Sequence, residues 1–282
     1  MTMTVKFWGV RGSIASPGSE TARVGGNTSC VEVNVDGARI ICDAGTGLRR
    51  LGATLAGAPL DATLLLSHLH WDHIQGLPFF APLYSPATRL EVITGHGGED
   101  ARDTLQQQMR APNFPVDLRA VPAALSFRHA RERQEIAVGA ATVRAVKGNH
   151  PDGVFAYRVA SNGRSVVYAT DTEHYACVDP HLRELARGAD VLIYDAQYLP
   201  DEYAGRCGPG RVGWGHSTWE AAVDLAVAAE VGTLVLFHHD PTRGDDAVMA
   251  IESAARRRFG STVAAVEGMA LELGAGETYR AA

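Results

Sequence analysis

The sequence predicts a layered architecture in which β-sheets are covered on their outer faces by helices. Three observations lead there. Short β-prone runs recur in both halves of the 282 residues, a few helical segments alternate with them, and no Pro/Gly/Ser-rich linker, fixed-period repeat or low-complexity tract interrupts the pattern. One domain spanning residues 1–282 is the economical reading, and periodicity leaves the order of the strands open.

The first strands are Val5 to Trp8, Val31 to Val35 and Arg39 to Cys42, the last two forming a hairpin about the turn pair Asp36-Gly37. Ala62 to Leu66 is a continuous apolar run of the kind buried on both faces, and a polar loop begins at once with Ser67. Asp100 to Met109 reads as a helix. Ala141 to Val146, Val154 to Val159, Ser165 to Ala169, Val191 to Tyr194 and Thr233 to Phe237 read as strands. Ser217 and Glu220 make an S-x-x-E capping box that opens a helix to Glu230, and another helix runs from Asp245 to Arg258.

The 26 basic and 32 acidic residues give a formal charge of -6, which argues against a protein held on nucleic acid by a broad basic surface. Only Lys6 and Lys147 are lysines, and the 24 arginines read as compositional bias before any function. Cys30, Cys42, Cys177 and Cys207 are far apart and form no C-x-x-C pair, as expected of free thiols in a reduced cytoplasmic protein. The opening MTMTVKFWGV lacks the apolar run of a signal peptide, and no stretch is long enough for a membrane span.

The segment Ser67-His68-Leu69-His70-Trp71-Asp72-His73 concentrates nitrogen and carboxylate ligands on one loop. Imidazoles two apart can converge on one divalent ion while the next Asp and His turn toward a second. Such donors favour zinc, with manganese or iron as alternatives. A polar or pH-sensitive surface loop is the plain alternative, but a coherent set recurs downstream. His150 follows a strand in GNHPDG, Asp171 follows one in ATDTEH, and His238 and His239 follow one in LFHHDP. Strand ends on one sheet edge present their loops together.

The order H-x-H-x-D-H, later His, later Asp and final His, with Asp43 ahead of it in ICDAGTG, resembles the metallo-β-lactamase superfamily over nearly the whole chain. The resemblance implies an α+β fold, a four-layer αββα sandwich. It also implies two divalent metal ions: His68, His70 and His150 on one, Asp72, His73 and His238 on the other, and Asp171 bridging. His238 fits the family's strand-then-histidine pattern better than His239, which is left as a supporting or substrate contact. Asp43 is either an acid orienting a ligand imidazole or a turn residue before Gly45.

β-Lactamases of this fold place a cysteine among the second metal's ligands, and none of the four cysteines matches. FWGVRGS, GNTSC, CDAGTG and WGHST are closer to the RNase Z-like phosphodiesterases. That resemblance implies phosphoryl chemistry, with His216 as a donor to the phosphate or leaving alkoxide. Asp195, in Tyr194-Asp195-Ala196-Gln197, stands where the family has an H-E-A-T glutamate that orients this histidine, and Tyr194 replaces a histidine. Thr170-Asp171-Thr172 stands for G-D-T. The arm that grips tRNA in RNase Z enzymes carrying it would be inserted within AYRVASNGRSVVYATD, where almost nothing intervenes.

The implied reaction is hydrolysis of a small phosphodiester such as a cyclic nucleotide by a metal-activated hydroxide, with Asp72 positioning the nucleophile. Extended nucleic-acid or membrane partners are not expected, and a homodimer is suggested by the resemblance alone. Alternatives are an RNase Z-like endonuclease, a carbon ester, lactone or thioester hydrolase, or a non-catalytic metal-binding member. Arg11, Arg49 and Arg158 are candidate phosphate contacts, against the plain reading of solvated arginines. Met109 to Val121 is either a lid or dimer contact or ordinary loop packing.

Overall fold

A computed structural model describes residues 2–274; Met1 and residues 275–282, the ends of the span read as one domain, lie outside them. Strands β1 (Met3–Gly9), β2 (Cys30–Val35), β3 (Ala38–Cys42), β4 (Leu60–Leu66), β5 (Thr88–Thr94) and β6 (Ala124–His129) lie side by side in chain order. A second sheet contains β7 (Glu135–Val138), β8 (Ala141–Gly148), β9 (Val154–Ser161), β10 (Arg164–Ala169), β11 (Val191–Asp195), β12 (Thr233–Phe237) and β13 (Thr262–Ala264). β14 (Ala270–Leu273) returns to pair with β1, giving two seven-stranded sheets.

Each sheet is antiparallel in one part and parallel where helices cross over. β14, β1, β2 and β3 in one sheet and β7 to β10 in the other are the antiparallel parts, and β3 to β6 and β10 to β13 the parallel parts. Helix α1 (Gly47–Leu55) joins β3 to β4, while the short α2 (Trp71–Ile74) and α3 (Gly98–Gln108) flank β5. α4 (Pro180–Ala186) joins β10 to β11, the short α5 (Pro200–Tyr203) and α6 (Trp219–Ala228) lie between β11 and β12, and α7 (Asp245–Arg258) joins β12 to β13.

The central strands are apolar on both faces because both faces are covered. On β10, Val166 and Tyr168 enter the core between the sheets, whereas Val167 and Ala169 face the outer core with Leu182, Leu185, Ala222 and Ala226 of the helices. On β4, Leu65 points to the other sheet, while Leu64 and Leu66 meet Leu48, Leu51 and Leu105 of α1 and α3. The result is the expected four-layer αββα sandwich.

The capping box needs correction. α6 starts at Trp219, with Thr218 as its cap accepting from the Ala221 N–H, because the Ser217 hydroxyl is drawn away to the Thr172 carbonyl. Glu220 instead lies near Arg258. In the segment after α3, Met109 and Leu118 are buried and Phe114 packs edge-on against Phe79.

Two of the three candidate phosphate arginines are structural. Arg158 donates to the carbonyls of Leu185 and Arg187 and to Ser165 Oγ. Arg11 is wholly buried and donates to the carbonyls of Gly25, Asp240 and Arg243, with Asp245 beside it at 3.8 Å. It pins the loop after β1 to the loop after β12. Arg49 is exposed, in a cleft with Gln75 and Phe79. Arg11→Met leaves three carbonyls without their donor, while Asp245 keeps the N–H groups of Arg23 and Val24, and is expected to lower unfolding free energy by about 3–5 kcal/mol, measured by urea unfolding.

Candidate active site

The candidate residues lie where strands end: His68, His70, Asp72 and His73 after β4, His150 after β8, Asp171 after β10, Asp195 at the end of β11 and His238 after β12. His216 comes two residues ahead of the α6 cap. Asp171 (φ 50°) and His238 (φ 58°) are in the left-handed region. That turn leaves the strand sharply, and Asp171 and His238 meet between the loops.

Two donor groups result. His68, His70 and His150 form one, and Asp72, His73, Asp171 and His238 the other, with donor atoms inside each group within 4.8 Å of one another. Asp171 lies between them: Oδ2 is 3.3 Å from His73 Nε2 and 3.7 Å from His68 Nε2, and Oδ1 is 3.1 Å from His238 Nε2. Asp72 Oδ2 is 3.2 Å from His73 Nε2 and 3.3 Å from His238 Nε2. A third grouping joins Asp171 and His238 to Asp195 and His216, but there Asp195 is engaged by His216.

Four imidazoles are oriented by a bond at Nδ1. His73 donates to Asp43 (2.7 Å), His150 to the Gly215 carbonyl (2.8 Å) and His238 to Gln197 Oε1 (2.8 Å). The Ser67 hydroxyl donates to Asp43, so its oxygen accepts from His68 Nδ1 at 3.0 Å. In the neutral ring each such bond leaves the Nε2 lone pair toward the shared space, His150 Nε2 accepting there from His70 Nδ1 at 3.0 Å. His68 Nε2 and His73 Nε2 are buried with no hydrogen-bond partner. Orphaned lone pairs around ionised acids fit divalent cations.

Burial opposes the charge on both acids, yet they stay ionised. Asp72 is held below the ordinary carboxylate range by His73 and His238, and Asp171 by His238, His73 and His68. Burial pulls His68 down. It also pulls His73 down, but Asp171, Asp72 and Asp43 outweigh it and raise that imidazole. The same contest raises His216 to about 9: burial opposes the charge, and Asp195, 2.8 Å from its Nδ1, prevails.

Asp43 proves to be the acid that orients His73. His239 is neither ligand-like nor a substrate contact. Adjacent side chains diverge, and its Nε2 donates to the Ala265 carbonyl (2.9 Å), in a buried setting that lowers its pKa to about 3. Gln197, Ser13 and Glu173 carry roles not read from the sequence. Gln197 accepts from His238, the Ser13 N–H donates to Asp72 Oδ2 (2.7 Å), and Glu173 accepts from the N–H groups of Gly213 and Gly215. Gln197 and Glu173 stand two residues from Asp195 and Asp171, the one local signal that could have marked them.

Residues 38–239 match the Beta-lactamase superfamily domain, and the chain belongs to this superfamily. It is similar to the Ribonuclease Z of Haloarcula marismortui, 25% identical over 317 aligned positions that cover 95% of this chain and 96% of that protein. In fold it resembles the metallo-beta-lactamase fold protein YhfI from Bacillus subtilis, with a TM-score of 0.71 and 20% identity over 96% of this chain and 99% of that one. It also resembles a diphosphatase from the PhnP family, with a TM-score of 0.70 and 19% identity over 97% and 98% of the two chains.

Two substitutions test the donor set. Asp171→Ala removes the shared carboxylate and is expected to abolish retention of divalent metal, measured by elemental analysis after dialysis. A Cβ on Gly215 would lie 2.1 Å from His150 Nδ1. Gly215→Ala is therefore expected to lower metal content at the His68, His70 and His150 group, read as a reduced metal-to-protein ratio.

Proposed function

We propose that this chain is a dinuclear metal-dependent hydrolase of small phosphodiesters, cyclic nucleotides among them. His68, His70 and His150 would hold one ion, Asp72, His73 and His238 the other, and Asp171 would bridge; the donors suit zinc, with manganese or iron as alternatives. The observation that carries this reading is the buried His216–Asp195 pair beside the donor groups, with ring centroids of His216 5.2 Å from His150 and 5.0 Å from His238. A proton donor matters for an alkoxide leaving group. A thiolate leaves without one, which disfavours thioesters.

When bound, two such ions supply Lewis acidity toward a phosphoryl oxygen and bring the pKa of a water toward neutrality. The protein's own part is positional. The Ser13 N–H fixes the Asp72 carboxylate, which is placed to orient a nucleophilic water. Asp195 keeps His216 protonated at neutral pH, and the other ring nitrogen then delivers that proton to the departing alkoxide. Water is limited by the walls: Asp171, His73 and His238 are nearly inaccessible.

Small substrates are supported by the hairpin between β9 and β10. Asn162 and Gly163 (φ 49° and 76°) turn the chain in two residues at the place where a tRNA-gripping arm would be inserted. A second reading, an RNA endonuclease, is favoured by the likeness to a Ribonuclease Z over 95% of this chain.

The deciding assay compares bis(p-nitrophenyl) phosphate, a cyclic nucleotide panel, a 3′-extended tRNA precursor and a lactone, each with and without chelator. Chelator-sensitive turnover of the small diesters is the expected result. Preferential cleavage of the RNA would replace this reading with the second, and turnover of the lactone alone would sink both. His216→Ala is expected to lower kcat by about 10²–10⁴-fold with metal retained. Activity should fall as pH rises through about 9, where His216 loses its proton, and Asp195→Asn should move that limb to lower pH.

A further inference from the structure

We infer that the glycine-rich segment 204–215 carries a recognition point, formed by Arg211 and Trp214, for the nucleobase and a second, non-scissile phosphate of a nucleotide substrate. This rests on the reading of the neighbouring donor groups as a phosphoryl-transfer centre. The other arginines nearby are neutralised: Arg206 pairs with Asp201 at 2.6 Å and Arg243 with Glu202 at 2.9 Å. Arg211 has no carboxylate within ion-pair distance and no side-chain hydrogen bond among the described residues. Its guanidinium lies 4.4 Å from the Trp214 ring centroid and 5.8 Å from that of Tyr198. The Tyr198 ring in turn lies edge-on to His216 at 5.7 Å, so one aromatic ring separates Arg211 from the proposed proton donor.

Stacking on rings holds a guanidinium plane without using its N–H groups, and that edge matches two oxygens of a phosphate. Trp214 is 54% exposed, although its backbone is tightly held. Gly213 and Gly215, one on each side, donate to the buried Glu173 carboxylate at 2.8 and 2.9 Å, and the Tyr203 hydroxyl donates to it at 2.7 Å. Both glycines are left-handed (φ 86° and 85°), a conformation this clamp requires. A large ring on a rigid backbone, with Arg211 on its surface and much of the rest open to solvent, is a platform for stacking a planar base.

The platform is also in register with the centre. Glu173 follows Asp171 by two residues, and the Gly215 carbonyl accepts from His150 Nδ1. The same peptide that carries Trp214 thus orients one of the donor imidazoles. A substrate whose scissile phosphate sits at the donor groups would extend past His216 and Tyr198 onto this platform.

The test uses the metal-loaded protein and calorimetric titration of thymidine 5′-monophosphate and thymidine 3′,5′-bisphosphate, alongside turnover of their 5′-p-nitrophenyl esters. The bisphosphate is expected to bind about tenfold more tightly. Arg211→Ala should erase that ratio, Arg211→Lys should restore part of it, and Trp214→Ala should weaken both nucleotides in parallel by about tenfold. Equal affinity for the two nucleotides, or a preference that survives Arg211→Ala, overturns the inference even if both esters are hydrolysed. An Arg211-dependent preference with neither ester hydrolysed upholds the recognition point and removes the phosphodiesterase reading instead.

Discussion

The carboxylate of Asp43, wholly buried, accepts hydrogen bonds from Ser67 N–H (2.8 Å), Ser67 Oγ (2.7 Å), His73 Nδ1 (2.7 Å) and the Tyr168 hydroxyl (2.7 Å). Those donors come from the end of β4, from α2 and from β10 of the facing sheet. One acid therefore ties the sheets together and ties the donor loop to both. A buried carboxylate without such partners would be too costly to keep ionised. Burial and the Asp43 charge raise the Tyr168 pKa, so its hydroxyl remains a donor. Because Ser67 gives its proton to Asp43, its oxygen must accept from His68, and the tautomers of two imidazoles follow from the charge of one acid.

The rest of the site is built around that fastening. Asp43, Asp171 and His238 all adopt left-handed backbone at strand ends, with φ of 61°, 50° and 58°. Such strain persists only where surrounding bonds over-determine it, and here Ser67, Thr170 and Gln197 supply them. Glycine gives the necessary close approaches: a Cβ on Gly12 would come within 2.4 Å of the His238 ring, just as one on Gly215 would strike His150. The motifs FWGVRGS and WGHST thus combine chemistry with the absence of a side chain.

Much of the second sheet was legible because its strands are apolar runs bounded by turns, as in Ser165 to Ala169 and Thr233 to Phe237. β6 was not, since its residues are partly or fully exposed, and β13 is three residues long. α1 contains two glycines, a composition that carries little helical signal. The cap of α6 was misread by one residue because Ser217 and Thr218 are both competent caps, and only the tertiary contact of Ser217 with Thr172 separates them. Arg11 and Arg158 were misread for a similar reason: a sequence records a charge, and the packing decides whether carbonyls or solvent surround it.

By itself the sequence determined the layered class and the residues able to ligate or move protons, because H-x-H-x-D-H and strand-end His and Asp are local chemistry. Its motifs also marked the superfamily to which the chain belongs. Only the tertiary structure decided how these groups meet. It set His238 toward Asp171 and His239 toward Ala265, decided between the two readings of Asp43 in favour of the partner of His73, and brought Gln197 and Glu173 into the site. It also left Arg211 on two aromatic rings while nearby arginines found carboxylates. Orientation and partnership are long-range properties: they depend on which strand end faces which, and composition, spacing and periodicity do not encode that directly.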